Sequence, residues 1–191
     1  MEEGSESSVE TTVESSSVST SDTTAETKAE VNSTLNWDTS ESSPTATEVQ
    51  DARNTAADRE WRASLEGDAA AADDWRASLE DESAEWDRWR AEMADTPEDV
   101  AWYASKALQH EAQAERYEAD AAEHLATASE MRAEGTEALA EVATDSDQQL
   151  ALQDTAEQHS EDAATWREEA EQADNAAWQL DNAAADVAAD A

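Results

Sequence analysis

Residues 103–135 read YASKALQHEAQAERYEADAAEHLATASEMRAEG, and this stretch decides the fold. Every seventh position is large: Tyr103, His110, Tyr117, His124 and Met131. Four residues after each comes a small one: Ala107, Ala114, Ala121, Ala128 and Gly135. A sustained seven-residue repeat is the signature of helices that pack along their length with a gentle left-handed supercoil. Residues 152–187 repeat the design, with a seam of Leu152, His159, Trp166, Ala173, Leu180 and Val187. Its small partners are Ala156, Ala163, Ala170, Ala177 and Ala184. Large side chains over facing Ala predict an antiparallel pair in which Tyr117 lies over Ala170, His124 over Ala163 and Trp166 over Ala121.

The punctuation on either side sets the helix ends. Thr96-Pro97-Glu98-Asp99 places Thr at an N-cap, Pro at the first helical position and acids in the first turn. Thr144-Asp145-Ser146-Asp147 is a second start rich in capping side chains. Three helices follow, at about 49–94, 97–143 and 147–189, with Gly67 as a candidate kink in the first. Strand signals are missing, because β-branched residues are few and no polar/apolar alternation is sustained. The fold expected is all-α: long antiparallel helices in a coiled-coil hairpin or an elongated three-helix bundle, spanning 49–191.

The first helix carries its own repeat. Trp61-Arg62-Ala63-Ser64-Leu65-Glu66 recurs unchanged as Trp75-Arg76-Ala77-Ser78-Leu79-Glu80, and loosely as Trp89-Arg90-Ala91-Glu92-Met93-Ala94. Steps of four and three from Trp61 trace a coiled-coil stripe through Leu65, Ala72, Trp75, Leu79, Trp86, Trp89 and Met93, broken by Asp68 and Glu82. Two readings of these Trp residues stand side by side. They supply core to a chain short of bulk. Alternatively Trp61, Arg62, Trp75, Arg76, Trp86, Trp89 and Arg90 form an interaction stripe, since Trp and Arg dominate interface hot spots.

Residues 1–48 have a different composition, rich in Ser, Thr and acids with Lys28 as the one basic side chain. Such a segment cannot offset its ordering entropy and is expected to be a disordered tail. Its one sticky spot is Leu35-Asn36-Trp37, where Trp37 is a candidate docking residue.

The whole chain has 191 residues, with 49 acidic side chains against 11 basic ones and a net charge of −38. Apolar residues amount to 38%, but most of them are Ala, and Ile, Phe and Cys are absent. A large globular core is excluded, because Ala buries little surface. Disulfides and Cys-based metal sites are excluded with it. Binding to bare nucleic acid lacks the Lys and Arg clusters a phosphate backbone needs. Charge of this density repels itself in the folded state, but at about 1 M salt the Debye length shrinks to roughly 3 Å. Only Lys28 and Lys106 are lysines. The scarcity of Lys, the lack of Ile and Cys and the surplus of Asp, Glu, Ala and Thr resemble proteins of salt-in halophiles, haloarchaea above all. No secretion signal or membrane-spanning stretch is visible, which makes the cytoplasm the expected compartment.

Chemistry-bearing patterns are few. All three histidines, His110, His124 and His159, fall on the seam, and no Glu-x-x-His pair of the di-iron type accompanies them. They read as structural, and their protonation near pH 5–6 is expected to load charge onto the seam and loosen it. Phosphate loops, nucleophile elbows and thiolates are missing. No catalytic, cofactor-binding or metal residue is therefore assigned, and neither a small-molecule substrate nor a cofactor is expected. The function expected is a non-enzymatic structural, assembly or adaptor role in high salt, exercised through a protein partner or self-association. A virion structural or scaffolding protein of a halophile-infecting virus is the alternative. An acidic nucleic-acid mimic acting as decoy for a basic partner is a further one.

Overall fold

The computed structural model describes residues 43–189. They form three long helices: α1 (Ala46–Met93, 48 residues), α2 (Pro97–Glu141, 45 residues) and α3 (Ser146–Ala189, 44 residues). At 1.5 Å per residue they are roughly 66–72 Å long. Most of the tail expected at 1–48, and Trp37 within it, lies outside the described residues. Its last positions do not belong to a tail. Thr45 caps α1, accepting from the Glu48 N–H, and the Glu48 carboxylate accepts from the Thr45 N–H at 2.7 Å. This reciprocal capping box ties down two free donors and starts the helix three residues earlier than the apolar pattern alone suggests.

The other starts follow their sequence signals. Thr96 caps α2 by accepting from the Asp99 N–H at 3.1 Å, with Pro97 in the first turn. Before α3, the Asp145 carboxylate accepts from the Gln148 N–H at 2.9 Å. Gly67 does not split α1. The helix runs unbroken through it, and a Cβ added there would meet nothing within 4 Å.

Packing rests almost entirely on Ala. In α1 the buried line is Ala63, Ala70, Ala77 and Ala84, and in α3 it is Ala156, Ala163, Ala170, Ala177 and Ala184. Both lines step by seven. The middle helix carries two such lines. One holds Ala107, Ala114, Ala121, Ala128 and Gly135; the other holds Ser105, Ala112, Ala119, Ala126, Ala133 and Ala140. They are offset by two residues, about 200° around the helix, and so face opposite sides.

This offset fixes the architecture. Gly135 lies against Ala56, with an added Cβ only 3.3 Å from the Ala56 Cα. Stepping by seven in opposite directions carries that register to Ala63 with Ala128, Ala70 with Ala121 and Ala84 with Ala107. On the other side the Ser105 hydroxyl donates to the Ala184 carbonyl at 3.0 Å, and Ala170 packs against Ala119 and Ala122. The same stepping then places Ala177 with Ala112 and Ala163 with Ala126. Helices α1 and α3 therefore flank α2 and do not pack on each other. The result is an open, antiparallel three-helix layer with α2 in the middle.

The register corrects one expectation. Ala170 meets Ala119 and Ala122 rather than Tyr117, and the Ala107 line faces α1 rather than α3. Small meets small at both seams, because α2 must present Ala on two sides at once. The larger residues sit beside the seams, half-buried: Tyr103, His110, Tyr117, His124 and Met131 on α2, and Leu152, His159, Trp166, Leu180 and Val187 on α3. Trp166 leans over the Ala119–Ala122–Ala170 cluster. Among the described residues Leu139 and Val49 are the bulky apolar side chains that are buried; the rest of the buried apolar set is Ala. Stability comes from many nearly equal methyl contacts, each worth about 0.8 kcal/mol per buried carbon, rather than from a few anchors.

Candidate interaction surface on the first helix

The Ala seam of α1 determines where its Trp repeat points. Relative to the Ala63 line, Trp61, Trp75 and Trp89 stand five positions on in the heptad, about 140° around the helix. Leu65, Leu79, Trp86 and Met93 stand two positions on, about 200° around. The coiled-coil stripe thus occupies the side of α1 facing away from α2. Exposure agrees: Trp61 is 61% exposed, Trp75 64%, Trp86 52% and Trp89 49%. Leu65, Leu79 and Met93 are exposed with them. The expectation that these Trp residues serve as core is overturned within the single chain, since no described element covers that face.

Local contacts hold the stripe in order. The rings of Trp86 and Trp89 stack with centroids 4.8 Å apart, and the Arg90 guanidinium lies 5.3 Å from the Trp86 ring centre. Each Arg of the repeat is neutralised within its own helix. Arg62 pairs with Asp58 at 3.0 Å, Arg76 with Asp73, and Arg90 with Asp87 at 3.1 Å. Arg76 also reaches over the Tyr117 ring and Arg90 over the Tyr103 ring, linking the repeat to α2. Trp102 is exposed at the α1–α2 corner, edge-on to Tyr103 at 4.7 Å.

The 14-residue repeat reappears across the seam in reverse. His124 places Nδ1 2.6 Å from Glu66 and Nε2 3.6 Å from Asp73. His110 places Nδ1 2.6 Å from Glu80 and Nε2 3.7 Å from Asp87. Glu66 with Glu80, Asp73 with Asp87, and His124 with His110 are each 14 apart, so one polar clamp is built twice. Asp73 and Asp87 are buried, which a carboxylate tolerates only when paired, and each has an Arg three residues on and a His opposite. Sequence reading missed these acids. The signal was their place in the Trp-Arg repeat, one heptad after Glu66 and Glu80.

His159 stands apart. Burial, and then the nearby Arg132 guanidinium, push its imidazole below the ordinary value, against weaker opposing pulls from Asp162 and Glu60. All three histidines are expected on an Ala-rich seam, but this one has charged neighbours, Arg132, Asp162 and Glu60. His110 and His124 face carboxylates. On the flank of the α1–α2 seam, burial raises Asp74, Glu115 and Glu118, and repulsion from neighbouring acids, Asp81 and Glu111 among them, adds to it. Among the described residues no group of three or more His, Asp or Glu side chains is arranged to hold a metal ion. None of the described helices is long and apolar enough to cross a membrane. The chain matches no protein family, no curated protein and no solved structure.

Proposed function

We propose that this chain is a non-enzymatic assembly or adaptor protein that acts through protein–protein contact and works in concentrated salt. One observation carries the reading: an ordered row of four half-exposed Trp and three other large apolar residues along the outer face of α1. The row spans residues 61 to 93, about 48 Å of helix. Monomeric proteins rarely leave so extended an apolar patch uncovered unless something binds there. Its heptad spacing suits another helix rather than a small molecule. Adaptation to salt is supported by the charge of −38 and by the crowded carboxylates beside the α1–α2 seam, whose repulsion needs screening.

Oxidative footprinting of the indoles tests the contact reading. In cells that make the protein, Trp61, Trp75, Trp86 and Trp89 are expected to react several-fold more slowly than in the dilute purified chain. Equal reactivity in both settings overturns the reading.

A further inference from the structure

Resting on that contact reading, we infer that the partner on the Trp face of α1 is a second copy of this chain, paired antiparallel through α1. Three observations select this occupant. The first is edge asymmetry. The outer face of α3 is mostly polar, through Asp154, Gln158, Glu161, Glu168, Gln172 and Gln179, and the large apolar side chains exposed on that helix are Leu150 and Trp178, 28 positions apart. The Trp face of one copy therefore finds two isolated apolar side chains rather than a matching row on the α3 edge of another, and head-to-tail growth is disfavoured. Among the described residues the one long apolar row that can answer it is the same row on a second α1. Pairing like with like closes about a twofold axis, and two polar α3 edges then bound a six-helix layer.

The second is the position of the acids. Asp68 and Glu82 interrupt the stripe at equivalent heptad positions. A parallel pair would set Asp68 against Asp68 and Glu82 against Glu82, a like-charge cost. An antiparallel pair centred on residue 77 overlaps the whole stripe and removes that conflict. Trp75 then faces Leu79, Trp61 faces Met93, Leu65 faces Trp89, Asp68 faces Trp86 and Ala72 faces Glu82. Arg62, Arg76 and Arg90 lie beside this face, but Asp58, Asp73 and Asp87 already neutralise them within each chain.

The third is area. Half-exposed Trp side chains leave roughly 100 Å² each, so the four expose about 400 Å² per copy. Leu65, Leu79, Met93 and the stems of the flanking Arg bring the face towards the ~800 Å² per partner of a standard interface.

The full chain in about 3 M KCl is expected to show the two-copy mass by light scattering at micromolar concentration. The double variant Trp75→Ala, Trp89→Ala lies away from both Ala seams, so its helicity should match the parent while association weakens at least ~30-fold. Because the chain has no Cys, single substitutions report orientation: Ser78→Cys, next to the axis, should form an inter-chain disulfide, and Asp68→Cys should not. A one-copy mass for the parent at high micromolar concentration overturns the inference. So does a dimer that survives the double Trp substitution, or ready cross-linking through Asp68→Cys. If the indoles are protected in cells while the purified parent is monomeric, the self-pairing fails and the contact reading stands.

Discussion

Gly67 and Gly135 both sit inside helices, where a glycine costs about 1 kcal/mol relative to Ala. Only Gly135 has a packing reason for it. Its missing methyl lets α1 come within reach of α2, and a Cβ there would press on the Ala56 backbone and the Arg59 Cβ at 3.3 Å. Gly67→Ala should therefore raise stability by about 0.5–1 kcal/mol, and Gly135→Ala should gain less or lose. Equal gains in urea melts would mean the seam is not tight. His159 provides a second residue-level outcome. Its folded value lies below the unfolded one, so protonation opposes folding and stability is lost as pH falls through about 6.5. The raised Asp74, Glu115 and Glu118 act in the opposite sense, since their protonation at still lower pH favours the folded state. Comparison with His159→Gln separates the two. Between pH 7.5 and pH 5 the parent should lose melting temperature relative to the variant, and parallel shifts would refute the assignment.

At the scale of the helix, each element is defined by which of its faces is Ala. A stripe of small residues sets the spacing between helices, and adding bulk to it forces them apart. Ala121→Leu, in the α1-facing line of α2, should cost about 1–3 kcal/mol or more from overpacking. Ala71→Leu, exposed on α1, should stay within about 0.5 kcal/mol. The contrast, read from thermal melts in high salt, checks the two-sided Ala seam directly. The caps matter in the same way. Thr96→Ala removes the acceptor for the Asp99 N–H and should cost about 1 kcal/mol, seen as fraying at the start of α2.

For the whole molecule the governing terms are charge and an unfilled edge. A thin layer has much surface for its buried area, and this one spreads a large negative charge over it. Circular dichroism across KCl should show helicity and melting temperature rising up to molar salt, where the Debye length falls to about 3 Å. Full helicity in dilute buffer would remove the support for adaptation to salt. Six of the nine Arg lie on α1 together with four of the eight Trp. That helix carries an inner surface for α2 and an apolar outer face that no described element covers.

Helix type and number, and every helix end but the start of α1, could be read from the sequence alone, because they depend on local chemistry: heptad spacing, Thr and Asp caps, Pro97 and the absence of strand formers. So could the exclusion of a bulky core, which follows from Ala content. The direction in which each face points could not. Ala107 and Ala112 look alike in a helical pattern, and only the packed molecule shows one facing α1 and the other α3. The same ambiguity hid the role of Trp61, Trp75, Trp86 and Trp89, since a stripe suited to core is equally suited to an interface. Tertiary structure removed the core role within the single chain by giving α1 a second, Ala-lined stripe for α2. A helix with two apolar faces and one neighbour leaves the other face exposed.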